Sequence, residues 1–373
     1  MNLFISCPGL FFEAAVEIRI KMKKSENNII NSAKAALLSC LSKIPFLKII
    51  DIQKECGEKD TIADLSVIIE LPDGVMQLIA EVKSSGQPRL AREAVNQMLR
   101  YKDKISETYF VFIAPYISPR AADICLSEGI GYLDLSGNCL LSFDKVFIQK
   151  KDYPNQFKEK RVLKSLYAPK AERLLRALLC NPGKKWKIKE LADESGVSLG
   201  QASNVKKVLF DRELISGEWG GFSLIEPAAL LREWAENYEY RKNKVQEYYS
   251  LKSVIDIENA LAAYCNNRKI KYALTGFSGA ARITPAVRYK KAMVYATDLA
   301  EEAFSELSLK AVKSGGNLLL LGPYDDGVFY GSSKVSEVLV ASEIQLYLDL
   351  QGFRGRGEEA AEALYERIVE KAK

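Results

Sequence analysis

Histidine is missing from all 373 residues. Without an imidazole base, Ser-His-Asp and Cys-His catalysis are excluded. So are His-ligated zinc, the two-His-one-carboxylate iron site, and nucleases or phosphotransferases that work through histidine. Any chemistry must run on carboxylate, lysine, thiol, hydroxyl or a hard metal held by carboxylates. Long apolar runs are also missing, since none reaches the roughly 18 to 20 residues of a membrane span. Met1 to Phe12 is apolar but has no basic start; Pro8 and Gly9 interrupt it, and Glu13 and Glu17 follow. It therefore reads as a poor signal peptide. Met22-Lys23-Lys24-Ser25 is an alternative natural start, with residues 1–21 as an extension. The seven cysteines are odd in number and scattered, without a C-x-x-C pair. That points to reduced, mostly buried thiols in a cytoplasmic protein, with neither a disulfide frame nor a zinc site.

What is present is an ordinary globular composition, 48% hydrophobic and 27% charged, with length for about two to three domains. Its charge is unevenly placed. Residues 1–150 carry 18 basic and 18 acidic side chains, residues 151–225 carry 15 and 9, and residues 226–373 carry 20 and 21. The net +5 thus comes from the middle of the chain. A local excess of this kind suits a polyanion partner, the plain alternative being a solvated Lys-rich linker.

From Glu26 to Gln149 the pattern alternates helix and strand. A helix is expected over Glu26–Ser42, ended by Pro45, and strands over Leu47–Gln53, Ile62–Glu70 and Val75–Lys83. Pro72-Asp73-Gly74 forms the turn between the last two. A helix over Arg89–Lys104, a strand over Tyr109–Ala114, a helix over Pro119–Glu128 and a strand over Gly131–Leu135 follow, with one final strand over Leu140–Gln149. Leu133-Asp134-Leu135-Ser136-Gly137-Asn138 reads as a strand-to-turn transition.

Charged groups stand where that pattern wants apolar ones. Asp64 interrupts the second strand, and Glu81 and Lys83, two apart, share one face of the third. The hairpin can bring Asp64 close to Glu81. Two carboxylates on adjacent strands can hold Mg²⁺, which would polarise a phosphodiester and acidify an attacking water, while an ammonium stabilises the developing charge. The plain alternative is an ordinary ion pair on an edge strand.

Asp64 followed by Glu81-Val82-Lys83 resembles the signature of the PD-(D/E)xK nuclease superfamily, and the helix-strand-strand-strand-helix-strand order matches its core. Gln97-Met98-Leu99-Arg100-Tyr101 is similar to the Q-x-x-x-Y motif of its RecB-like branch. The resemblance implies Asp64 and Glu81 as ligands of Mg²⁺ (or Mn²⁺), Lys83 as the catalytic lysine and Gln97 as the supporting polar group. For the Glu that the superfamily often adds from the first helix, the only candidate is Glu26, ahead of the helix body. No proline precedes Asp64. A fold of this kind also serves binding alone.

Residues 165–227 read as a winged helix-turn-helix: helices over Glu172–Leu179, Lys187–Ser195 and Ser198–Arg212, then short strands at Leu214-Ile215 and Phe222–Ile225. Ser198 is a natural N-cap, and Gly196 makes the turn. Leu191 to Ser198 is similar to the helix-turn-helix core of bacterial repressors. Gln201, Ser203, Asn204 and Lys207 would then face the major groove. Lys184, Lys185, Lys187 and Trp219 would meet phosphate and sugar. Other winged helices only dock proteins.

Residues 228–373 read as mixed α/β. A long helix is expected over Ala228–Lys252, with Trp234, Tyr238, Tyr240, Tyr248 and Tyr249 among basic residues on an exposed side. A helix over Ile255–Asn267 and strands at Lys271–Thr275, Ala292–Thr297 and Asn317–Leu321 follow. Helices are then expected over Leu299–Ser305, Ser336–Leu350 and Gly357–Lys373. Gly276-Phe277-Ser278-Gly279 has no Gly-Lys-Ser/Thr or D-x-D strand after it, which sets aside a phosphate loop and a nucleotidyltransferase.

Tyr272-Ala273-Leu274-Thr275-Gly276, Ala280-Ala281, the run Glu343 to Leu350, and Arg356-Gly357-Glu358-Glu359-Ala360-Ala361 resemble AbiEi-family antitoxins of type IV toxin–antitoxin systems. With the preceding winged helix the resemblance covers roughly 165–373. It implies a repressor that binds its own promoter and opposes a nucleotidyltransferase toxin.

The expected architecture is therefore an α/β multi-domain chain with α+β parts: a PD-(D/E)xK nuclease-like domain over 22–158, a winged helix-turn-helix over 165–227 and an AbiEi-like domain over 228–373. The expected function is a regulator bound to double-stranded DNA. The alternative is a Mg²⁺-dependent DNA endonuclease or exonuclease targeted by the winged helix. The oligomeric state stays open, a homodimer included.

Overall fold

A computed structural model of the chain describes residues 27–56, 63–102, 107–157, 166–218, 220–284, 289–297, 299–353 and 356–371. The chain divides into two compact units, Met1–Glu159 and Lys160–Lys373.

The first unit begins with helix α1 over 27–41, which buries Ala33, Leu37 and Leu41 at helical spacing. Strands β1 (Lys48–Cys56), β2 (Ala63–Leu71) and β3 (Gly74–Val82) follow. Next come helix α2 (Pro88–Lys102), β4 (Thr108–Ala114), helix α3 (Pro119–Ser127) and β5 (Gly131–Asp134). Among the described residues these strands and the two that follow them, over Cys139–Phe143 and Val146–Lys150, make one sheet in sequential order. β3, β4 and β5 are parallel and the outer pairings antiparallel. Leu37 and Leu41 pack with Leu65, Val67 and Leu78 on one face. Val95 and Met98 of α2 and Ala121 and Cys125 of α3 pack with Ile79 and Phe112 on the other. The sheet is thus covered on both faces, as parallel strands require.

The single strand expected over Leu140–Gln149 is two strands, β6 (Cys139–Phe143) and β7 (Val146–Lys150). Asp144 at φ +44° turns the chain between Phe143 and its partner Val146. No glycine marks this turn, and Asp is among the residues that tolerate positive φ.

In the second unit, helices α4 (Pro169–Cys180), α5 (Ile188–Glu194) and α6 (Leu199–Asp211) precede the hairpin β8 (Ile215–Glu218)–β9 (Gly221–Leu224). Ser198 caps α6, its side chain accepting from Gln201 N at 3.3 Å. Trp186 adds a third extended segment to the hairpin by exchanging both backbone hydrogen bonds with Phe222, at 2.7 and 2.9 Å.

The long helix expected over Ala228–Lys252 is replaced by three elements: α7 (Pro227–Asn237), a 3₁₀ turn at Tyr240–Lys242 and strand β10 (Lys244–Tyr249). Valine and the two tyrosines favour a strand once partners exist; here β14 (Leu318–Gly322) and β13 (Lys310–Ala311) supply them. The exposed aromatic side is correspondingly corrected. Trp234 is fully buried, and Tyr248 is buried and stacked on Phe304 at 4.8 Å between centroids.

Helix α8 (Val254–Arg268), β11 (Tyr272–Leu274), α9 (Gly276–Ile283), β12 (Ala292–Ala296) and α10 (Glu301–Glu306) follow. The helix expected over Ser336–Leu350 is also corrected. Ser336 and Glu337, at φ +48° and +68°, join β15 (Ser333–Val335) to β16 (Val338–Val340), and only Glu343–Leu350 is helical, as α11. Helix α12 (Arg356–Lys371) ends the described chain. The second sheet runs β13-β10-β14-β12-β11-β16-β15.

One hydrophobic core runs through the second unit. Leu174, Leu178, Trp186 and Leu209 belong to the same cluster as Leu230, Trp234, Leu346 and Leu364. Cys40, Cys125, Cys139 and Cys265 are buried free thiols and Cys180 is half-buried. Among the described residues no helix is long and apolar enough to cross a membrane.

Candidate functional sites

The first site sits where β2 meets β3. Leu65 stands opposite Ala80, so one step further along the antiparallel ladder Asp64 faces Glu81. Asp64 Oδ2 accepts a hydrogen bond from Val82 N at 2.7 Å. Glu81 is 4% exposed, and both its oxygens are engaged: Lys83 Nζ donates to Oε1 at 2.5 Å and Gln97 Nε2 to Oε2 at 3.2 Å. All four residues expected from the sequence are thereby gathered: Asp64 from β2, Glu81 from β3, Lys83 just past the end of β3, and Gln97 from α2. Gln77 Nε2 donates to Ser66 Oγ at 2.8 Å, extending the polar row along the same face.

Burial raises the Glu81 carboxyl above the ordinary carboxylate range; Asp64 adds to the rise, while Lys83 and Gln97 oppose it. A carboxyl raised in the folded state contributes stability that is complete below its unfolded value, ~4.3. That contribution is lost as pH rises through the folded value. Glu81→Gln is therefore expected to flatten the decline in stability of the first unit as pH rises from about 4 toward neutrality. Urea melts at several pH values check this; an unchanged slope would overturn it.

Two hard carboxylates on adjacent strands fit a Mg²⁺ ion that keeps most of its waters. Asp64 and Glu81 would hold it, with Lys83 giving up its contact on Oε1. Among the described residues no group of three or more His, Cys, Asp or Glu converges. Glu26 lies outside the described residues.

The second site is the face of α6. Ser203, Asn204 and Lys207 are exposed and Gln201 is half-buried, while Ala202, Val205 and Leu209 face the core. Lys184, Lys185 and Lys187 are exposed ahead of α5. Lys184 is already engaged, 2.8 Å from Glu190 and 3.7 Å above the Trp186 ring. Trp219 lies outside the described residues. Lys206, over the Phe222 ring at 4.9 Å, escaped the sequence reading, as did Trp186. Its apolar neighbour Ile188 and the Lys-rich flanks were the only signal, and neither distinguishes a strand from a loop.

Gly276 and Ser278 are structural. A Cβ on Gly276, at φ +51°, would lie 2.4 Å from Met293 Sδ, and the Ser278 hydroxyl bonds the backbone of Thr275 and Met293.

Among solved structures the chain is similar to a repair endonuclease from Pyrococcus abyssi, with 22% identity over 27% of this chain and 46% of that one, at TM-score 0.20. EndoMS bound to double-stranded DNA gives 15% identity over 28% and 45%, at TM-score 0.21. SfsA from Pyrococcus furiosus in complex with Ca²⁺ gives 18% over 35% and 63%, at TM-score 0.17. The chain covers less than two thirds of each. No curated protein matches. Residues 223–370 match the AbiEi_2 family, described as "Transcriptional regulator, AbiEi antitoxin, Type IV TA system". Over those residues the chain is similar to the antitoxin regulators of type IV toxin–antitoxin systems.

Proposed function

We propose that the chain is a DNA-binding transcriptional regulator of the type IV antitoxin kind, acting in the cytoplasm. Residues 165–227 serve as its winged helix-turn-helix on double-stranded DNA, and a nucleotidyltransferase toxin is its functional counterpart. The observation that carries this reading is the family match over 223–370. The helices and hairpin just before that segment share its core. Gln201, Ser203, Asn204 and Lys207 would read base edges, with the positive N-terminal end of α6 turned to the backbone. Lys184, Lys185, Lys187 and the wing residue Trp219 would meet phosphate and sugar, with phosphate replacing Glu190 at Lys184.

Fluorescence anisotropy with duplex DNA from upstream of its own gene tests this. Asn204→Ala and Lys207→Ala are each expected to weaken binding, and Lys207→Ala to reduce the salt slope by about one. Unchanged affinity in both variants would overturn the assignment of the α6 face.

A second reading is favoured by the gathering of Asp64, Glu81, Lys83 and Gln97: a metal-dependent deoxyribonuclease. Mg²⁺ or Mn²⁺ held by Asp64 and Glu81 would supply Lewis acidity and a more acidic water. Lys83 would stabilise charge developing on the phosphate, and Gln97 would hold the Glu81 carboxylate in place. DNA is incubated with protein and either cation. Cleavage lost in both Asp64→Ala and Lys83→Ala establishes the enzyme. Intact DNA together with retained promoter binding leaves the regulator alone.

A further inference from the structure

The run Leu133 to Asn138 has a role that neither reading uses. Asp134, 1% exposed, closes β5 and accepts from Asn138 N and Asn138 Nδ2, both at 2.8 Å, and from Ile117 N at 3.3 Å. Asn138 in turn clamps Tyr153: Asn138 Nδ2 donates to Tyr153 O at 3.0 Å, and Tyr153 N donates to Asn138 Oδ1 at 2.9 Å. Three residues on, Gln156 N donates to Ser136 Oγ at 3.3 Å. Gly137 lies directly beneath the Tyr153 ring, where a Cβ would meet ring carbons at 3.3 Å. Tyr153 is nevertheless 48% exposed.

A surface tyrosine fixed at both backbone polar groups, backed on one ring face and open to water, has already lost part of its conformational entropy to folding, which leaves less for a stacking ligand to remove. Its position is equally specific. Val82 pairs with Ile113 and Ile113 with Leu133, so Asp134 stands level with Lys83 across β4. The clamp therefore lies at the end of the sheet that carries Glu81 and Lys83, two strand spacings or roughly 10 Å to one side. That is the carboxyl end of the parallel strands, where open sheets of this kind bind ligands. Lys151, exposed, precedes the clamp.

We propose that Tyr153 is a stacking platform for a nucleobase of an unpaired stretch of nucleic acid running across this end of the sheet. The proposal rests on the second reading only for the class of its ligand; it requires binding and no cleavage.

The test is equilibrium binding of fluorescent oligothymidylate and oligouridylate of about 12 nucleotides, a length within the usual range for such sites, to the full chain without divalent metal. Wild type is expected to bind at least one of them. Tyr153→Ala should weaken that binding by about fivefold or more, as loss of one base stack does, and Tyr153→Phe should stay within about twofold of wild type. Asn138→Ala should weaken it too, by freeing the Tyr153 backbone that positions the ring. Duplex binding through α6 should be unchanged in Tyr153→Ala. Equal oligonucleotide affinity in wild type and Tyr153→Ala, no binding by wild type, or an equal loss on duplex would overturn the proposal. If Tyr153-dependent binding persists while Mg²⁺ supports no cleavage, the nuclease reading fails and this one stands.

Discussion

Arg176→Ala is expected to lower the unfolding free energy of the second unit by about 3–5 kcal/mol, the usual effect of breaking a buried charge network from one side. Arg176 is fully buried on α4. Its Nε and Nη2 both donate to Gln345 Oε1, at 3.0 and 2.7 Å, and the guanidinium lies 4.9 Å over the Trp234 ring. Nη1 is 3.5 Å from Glu172 Oε2, which also accepts from the Tyr324 hydroxyl. The other Glu172 oxygen has no hydrogen-bond partner among the described residues. Beyond Gln345 the network continues to the fully buried Asp349, which accepts from Tyr238 at 2.8 Å, Tyr295 at 2.9 Å and Thr275. Alanine leaves the buried Glu172 carboxylate uncompensated and opens a cavity under Trp234. Tryptophan emission is a clean readout in urea, because all three tryptophans of the chain lie beyond residue 159. A loss below about 1 kcal/mol would mean that solvent reaches the pocket and that the pair is worth no more than a surface bridge. Replacing Arg176 and Glu172 together by apolar residues should cost less than Arg176→Ala, since no charge is then stranded.

Asp134→Ala is the second large effect expected, about 2–3 kcal/mol on the first unit. Ile117 is buried, so its N–H loses the carboxylate with no water to replace it. The two Asn138 donors lose a charged acceptor. Calorimetry is the suitable measurement, with the transition falling roughly 2–4 °C per kcal/mol for a unit of this size. Oligonucleotide affinity should fall along with it, because Asn138 then no longer holds Tyr153. Asp134→Asn keeps the shape but turns an NH2 toward an N–H whose hydrogen bond the carboxylate now accepts, so it should recover only part of the stability. If the transition of Asp134→Ala stays in place, the loop is held by its backbone alone.

The core of the first unit was legible because local signals agreed. Pro72-Asp73-Gly74 fixed the turn, so charges at 64 and 81 had to come opposite one another, and the helical run after Gly86 set Gln97 above them. Legibility failed where an element depends on a distant partner. Tyr238–Tyr249 alternates well enough for either period, and only pairing with β14 makes it a strand. The turns at Asp144 and at Ser336-Glu337 lack the Asn-Gly or Asp-Gly pair that announces a tight hairpin. Nothing local to Arg176 announces its burial, since its partner Gln345 lies 169 positions away. The Leu133–Asn138 run showed its turn; its grip on Tyr153 needed the fold.

The core shared across residue 227 also bears on how such a chain can be inherited. The family similarity starts at residue 223, inside β9, a strand whose Phe222 and Leu224 are buried with the helices before it. A recombination event that cut there would divide a single folding unit and strand apolar surface on both pieces. A crossover near residues 159 and 160 would leave both cores whole. The exchangeable part of this chain is thus longer than its family segment. Lineages that gain or lose the first unit should do so at that seam, carrying α4 to α6 with the antitoxin-like segment.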